Sequence, residues 1–178
     1  MDAVTSSVMI GEALADFLHL EAQGWKGRAG TAAVNNEPIR RFIDSAIAEL
    51  AADGKVRIDR LRVDGSAIAV AVTLRSGDRA WTWKIAYDEA FARSSPGVQL
   101  MVDVTEALLA EGSIAQVDSC ATADHPMIDH LWRERLALSD RLIAARPSPW
   151  MFTLACHLER LRRAAISTAK TVRNRTRR

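Results

Sequence analysis

Apolar positions in the first fifty residues recur at helical spacing. Ile10, Leu14, Phe17 and Leu18 form one stripe over 10–22, and Ile39, Phe42, Ile43, Ala46, Ile47 and Leu50 form another over about 37–52. Between them, "GWKGRAGTA" inserts three glycines and predicts a loop. Gly54 stands where a helix C-terminal glycine belongs. The period then changes to two. "VRIDRLRV" places Val56 and Ile58, then Leu61 and Val63, and the slip between the pairs predicts a bulge near Asp59-Arg60. Asp64-Gly65 predicts a hairpin into "AIAVAVTL", where Ile68, Val70, Val72 and Leu74 alternate with alanines and Thr73. Both faces of that strand are therefore covered, one of them closely. After Ser76-Gly77-Asp78, "AWTWKIAYD" puts Trp81, Trp83, Ile85 and Tyr87 on one face and Thr82, Lys84, Ala86 and Asp88 on the other.

The remaining pattern predicts a helix over 96–111 carrying Leu100, Val104 and Leu108, and a short strand in "IAQVDSCA". A strand reached through a helix is expected to run parallel to its predecessor, by a right-handed crossover. Helices over 126–144 and about 150–172 complete the order α-α-β-β-β-α-β-α-α, with the Pro-rich "ARPSPW" between them. The expected fold class is α/β with a mixed sheet: an antiparallel meander, one parallel β-α-β crossover and helices on both faces. Residues 1–147 form the main domain and 148–178 a C-terminal helix with a basic tail.

Composition narrows the function. The chain is 48% hydrophobic and 26% charged, which suits a globular core and not global disorder. No apolar run nears the ~20 residues of a membrane span. The acidic N-terminus lacks a signal peptide's basic flank, so the expected location is cytoplasmic. Cys120 and Cys156 are expected as reduced, buried thiols, and their spacing makes no metal site. The net charge of +2 divides unevenly: eight Lys/Arg and no acid from Arg160 onward, 16 bases against 22 acids before it. An acidic body is not the profile of a dedicated nucleic-acid binder.

Several residues carry candidate chemistry. Ser95-Pro96-Gly97 opens a helix with a proline that has no amide hydrogen and a glycine that lets a ligand approach. The amides of Gly97, Val98 and Gln99, backed by the helix dipole and by Arg93, suit a phosphate; a plain helix start accounts for the same residues. Glu21, Trp25 and Lys26 either hold an acceptor, with Trp25 stacking on a sugar, or pin the glycine-rich loop through a Glu21–Lys26 pair. Lys84 and Asp88 lie about 13 Å apart along one strand face, so each needs its own partner. Asp118 and His125 are candidates for proton handling, although Asp124-His125-Pro126 also reads as a helix cap. His19 and His157 read as surface residues.

Three stretches, "FLHLEAQGWKGRAGTA" (17–32), "WTWKIAYDEAFARSSPGVQL" (81–100) and "VDSCATADHPMIDHLWRERLALSDRLI" (117–143), resemble the GNAT superfamily of acyltransferases. They are most similar to its CelD/BcsL-type, cellulose-biosynthesis-associated branch, related to the FemABX transferases. The resemblance implies that two core strands splay apart and that acetyl-CoA or another acyl-CoA lies between them. The diphosphate would rest on Ser95 and Gly97–Gln99, the pantetheine arm beside Ala86 and Tyr87, and the acceptor near Glu21, Trp25, Lys26 and Lys84. Asp88, Asp118 and His125 are the catalytic candidates, and no metal is implied. The chain departs from the usual GNAT loop, Arg/Gln-x-x-Gly-x-Gly/Ala, by reading Arg93-Ser-Ser-Pro-Gly-Val. Its one tyrosine, Tyr87, stands on the wrong strand to meet a thiolate leaving group. The implied activity is acyl transfer to an amine, or a hydroxyl, of a polysaccharide precursor or sugar nucleotide. The match is to the C-terminal half of two-half relatives. The chain is therefore also readable as a silent binding module that needs a homodimer mate or a separate N-terminal-half partner. No nucleic-acid partner is expected.

Overall fold

The computed structural model describes residues 1–122, 124–139, 141–144 and 149–175. Two compact units divide it, Met1–Arg135 and Leu136–Arg178. The domain boundary expected at 147/148 lies outside the described residues.

The first unit is built on a five-stranded sheet of order β1-β2-β3-β4-β5. Its strands are β1 (Asp2–Val4), β2 (Val56–Val63), β3 (Ser66–Ser76), β4 (Arg79–Tyr87) and β5 (Gln116–Asp118). All neighbours are antiparallel except β4 and β5, which run parallel as the crossover requires. Helices α1 (Ser7–Gln23) and α3 (Glu37–Ala52) cover one face, packing Leu14, Phe17, Ile43 and Ile47 on Ile58, Val70 and Val72. Helix α4 (Pro96–Ala110) covers the other, where Leu100, Val104 and Leu108 meet Ala69 and Ala71. The alanines of β3 bring α4 close, which is the tight cover anticipated from the alternation.

Five expectations need correction. The first bulge falls between Leu61 and Arg62, not at Asp59-Arg60. A second register shift, opposite Thr82–Lys84, leaves Trp83 without a counterpart on β3. Past that point the faces exchange: Trp83 packs with the α1 cluster and Ile85 with the α4 cluster, so the aromatic face of β4 is not continuous. In α3, Ile43, Ile47 and Ala51 are buried, whereas Ile39 and Phe42 are exposed, Phe42 lying one position off the stripe. The helix expected over 126–144 shrinks to α5 (Ile128–Leu131), because Trp132 turns into extended backbone and its indole N–H bonds Thr105 Oγ1 at 2.9 Å. The loop expected in "GWKGRAGTA" contains a single helical turn, α2 (Trp25–Arg28).

Strand β1, three residues long, is too short to show an alternation and was not anticipated. Arg60, almost fully buried, ties it down by bonding Asp2, Glu12 and Asp16 together. On the α4 face, Arg57 grips the fully buried Asp59 at 2.8–3.0 Å and also bonds Glu111, which Arg75 pairs in turn. Two arginines and two carboxylates balance there.

The second unit contains helix α6 (Pro149–Arg175), at the place the sequence pattern assigned. Its stripe of Trp150, Leu154, Leu158 and Leu161 is exposed. No helix among the described residues is long and apolar enough to cross a membrane.

Candidate functional site

Strand β5 pairs with β4 only over Arg79–Trp81 and ends at Asp118. Beyond Trp81, residues 82–87 of β4 have no strand beside them on that edge. Asp88 N–H donates to Ile68 of β3, so by ladder alternation Ala86 and Lys84 also spend their backbone groups on β3. Ile85 and Tyr87 therefore turn theirs toward the open edge. A cleft of about 660 Å³ fills the wedge, lined by β4, the start of α4, the segment after β5, and Trp25 and Lys26.

One wall is the start of α4. Ser95 adopts a left-handed conformation (φ 50°), and Pro96 follows at the first turn. Val98 and Gln99 donate their N–H groups to the Ser95 carbonyl, so of the three amides expected to be free only that of Gly97 has no partner among the described residues. A Cβ at Gly97 would meet Tyr87 Cδ1 at 3.3 Å, so the Tyr87 ring lies close against the glycine. Arg93 is exposed and unpaired among the described residues.

The other wall rises on the α1 side. The Glu21 side chain is buried, its Oε1 accepts from Lys26 Nζ (2.9 Å) and Lys84 Nζ (3.2 Å), and its Oε2 accepts from Ala33 N–H (2.9 Å). Burial pushes this carboxyl up, but the Ala33 amide, the Lys26 bond and the charges of Lys84 and Lys26 together hold it below its ordinary value. The pairing expected of Glu21 with Lys26 thus forms, and Lys84 finds in Glu21 the partner that the strand could not supply. The lysines also stand over rings, Lys26 over Trp25 at 5.9 Å and Lys84 over Trp83 at 5.3 Å. Trp25 is 62% exposed, and its backbone N–H donates to Glu89, which Arg28 also holds. Gly27 fixes this turn, since a Cβ there would come within 1.6 Å of the Ala22 carbonyl oxygen.

The cleft brings together Trp25, Lys26, Lys84, Tyr87, Ser95, Gly97, Val98 and His125 from the expected set. Others it does not. Glu21 stands behind its lysines, and Ala86 is buried with its backbone committed to β3. Asp88 caps the following turn through Ala90 N–H at 2.9 Å, and Asp118 accepts from Cys120 N–H at 2.8 Å. No hydrogen bond among the described residues joins Asp118 to His125. His125 is a cap too: its Nδ1 accepts from Met127 and Ile128 N–H, each at 3.3 Å. That places the lone pair on Nδ1 and the proton on Nε2, leaving no free lone pair to act as a base.

Residues not anticipated also line the cleft, among them Thr82, Met101, Ser119 and Cys120. Ser119 and Cys120 follow the carboxyl end of a parallel strand, a position that could have flagged them. Cys120 is exposed at the cleft and not buried as expected, and Cys156 is half-buried. Partial burial of its thiol, then the Asp118 charge, pushes the Cys120 pKa up and keeps it protonated. Among the described residues no cluster of acids, histidines and cysteines has the make-up of a metal site.

No curated protein matches the chain. Among solved structures, a possible acetyltransferase from Clostridium difficile 630 superposes with a TM-score of 0.54 at 11% identity, over 80% of this chain and 98% of that one. An aminoglycoside acetyltransferase from an uncultured soil metagenomic sample gives 0.52 at 13% identity, over 81% and 97%. A Trypanosoma brucei acetyltransferase gives 0.50 at 13% identity, over 75% and 94%. At such identities the likeness speaks for the fold alone. The family model described as Acetyltransferase (GNAT) domain matches residues 6–125, from the start of α1 through β5 to His125. The chain belongs to the GNAT acetyltransferase family.

Proposed function

We propose that the protein transfers an acetyl or similar acyl group from acyl-CoA to an amine, or a hydroxyl, of a polysaccharide precursor or sugar nucleotide. The observation that carries this reading is the open edge of β4 beyond Trp81, facing the Gly97 end of α4 across the cleft. The backbone groups of Ile85 and Tyr87 suit the amides of a pantetheine arm, and the Gly97 N–H with Arg93 suits its diphosphate. Membership of the GNAT family supports acyl-CoA as the donor. The saccharide acceptor and the CelD/BcsL-type branch rest on the motifs at 17–32, 81–100 and 117–143.

Acyl transfer needs the two reactants held together, a donor for the developing oxyanion, and a neutral amine. The backbone at the Trp83 bulge is the candidate oxyanion donor. Among the described residues no carboxylate lines the cleft and His125 is committed to its cap, so the proton shed by the nitrogen as the C–N bond forms and the C–S bond breaks passes to the departing CoA thiolate or to water. The Lys26 and Lys84 ammoniums instead disfavour a protonated amine beside them, and thereby select the neutral nucleophile from solution.

The test is release of CoA thiol from acetyl-CoA with a panel of amino sugars, alongside calorimetric titration with CoA. Turnover supports the transferase, and absence of both CoA binding and turnover removes it. The lack of a side-chain base at the cleft among the described residues favours a second reading, a silent module that binds CoA and needs a partner chain. Binding without turnover selects that reading.

A further inference from the structure

We infer that the α1-side wall of the cleft is an oxyanion subsite, so that the acceptor amine belongs to a molecule that also carries a phosphate or carboxylate. This rests on the transferase reading and specifies its acceptor. Two ammoniums, Lys26 and Lys84, share the single carboxylate of Glu21, and both bond the same oxygen, leaving one positive charge over. Each ammonium has three donors, of which Glu21 takes one. The rings beneath them accept no conventional hydrogen bond. The side chains of Lys26 and Lys84 are 29% and 25% exposed, so water screens the surplus charge only in part, and both line the cleft.

Among the described residues no aspartate or glutamate lines the cleft. The carboxylates bordering it are already engaged: Glu21 by the lysines and Ala33, Glu89 by Arg28 and the Trp25 amide, and Asp118, whose charge reaches Cys120, by the Cys120 amide. A wall of one sign beside a low-dielectric cleft raises the local concentration of the opposite sign. A polycation, such as an aminoglycoside, meets only like charge here. An amino sugar bearing an oxyanion gains charge-assisted bonds to the free lysine donors, and Trp25 beside them offers a face to its ring. In the transferase reading the donor's phosphates belong to a different wall, at Gly97, on the opposite face of β4.

Calorimetry with the full chain saturated with CoA tests this, using glucosamine, glucosamine 6-phosphate, muramic acid and kanamycin. The expected result is that at least one of the two anionic sugars binds about tenfold or more tightly than glucosamine, the value of one charge-assisted contact. Tighter glucosamine 6-phosphate identifies a phosphate, tighter muramic acid a carboxylate. Lys84→Gln is expected to bring the preference within about twofold while leaving CoA affinity unchanged. Equal binding of the three sugars, no binding of either anionic one, or preference for kanamycin overturns the subsite. The ranking by the unaltered protein decides even if the variant unfolds. Thiol release separates the two levels: turnover of glucosamine without an anion preference sinks the subsite and keeps the transferase. Anion-selective binding without thiol release does the reverse.

Discussion

Two buried carboxylates of this protein, Asp59 and Glu21, sit in similar seclusion and do different work. Asp59 lies under the far end of α4 in a set that closes on itself, Arg57 and Arg75 against Asp59 and Glu111. Glu21 lies under the cleft with two lysines and no second acid. Their titration differs in sign. Burial, only partly offset by Arg57, pushes Asp59 up, whereas Glu21 is held down. A balanced cluster is an internal fixture with nothing left to offer a ligand. An unbalanced one that reaches a cavity keeps donors in hand, and that residue of charge, not burial, separates a binding wall from a structural brace.

The largest effect is expected from breaking the balanced set. Asp59→Ala leaves Arg57 buried beside Glu111 alone and should cost about 3–5 kcal/mol in denaturant unfolding. The surviving folded fraction should bind CoA normally. A shift in CoA affinity would show that the two clusters are not separable.

Gly27→Ala comes next. The added methyl has no room against the Ala22 carbonyl, and the turn must move at about 1–3 kcal/mol. Because that turn presents Trp25 and Lys26, acceptor binding should fall while CoA binding holds. Crystallography of the variant would check the displacement.

Glu21→Gln should cost less, about 1–2 kcal/mol, since the lysines can reach water and an amide oxygen can still accept from Ala33. Its pH dependence carries the sign. A carboxyl lowered in the folded state contributes stability above its ordinary value of 4.5 and loses it as pH falls through the folded value. The gap between wild type and variant should therefore shrink below about pH 4.5 in pH-resolved unfolding. Asp59, raised in the folded state, gives the opposite slope: its contribution is present at low pH and lost as pH rises through the folded value.

The smallest effect is expected at His125. An asparagine oxygen can take over the cap from Nδ1, so His125→Asn should keep turnover within about twofold and stability within about 0.5 kcal/mol. A collapse of turnover with an intact fold would restore His125 as a base.

The β2–β4 meander and α4 are legible in the sequence because turn residues and period-two alternation are local. The splay of β4 from β5 came only through family resemblance, for no local signal says where pairing stops. What stayed hidden depends on distant partners. The Trp83 register shift is decided jointly by two strands, and so the face that Lys84 takes could not be read from "WTWKIAYD" alone. The Glu21–Lys84 contact joins positions 63 residues apart. The apolar spacing past Trp132 reads as helix, yet Leu136, Leu138, Leu142 and Ile143 are exposed in irregular chain, and spacing alone does not supply a surface to pack on. The sequence marks Gly97 as a place for a ligand to approach; the residue that stands against it in the fold is Tyr87.

The unmated rim of β4 has one more implication. Amides and carbonyls in a row grip any arm built of peptide-like links and ignore what hangs from its tip. If that arm is the donor's, tolerance toward different acyl chains is the default, and discrimination among them must come from side chains lining the cleft, such as Met101 and Thr82. The same rim would welcome a stray strand from another molecule, were it not recessed between a helix start and a pair of ammoniums.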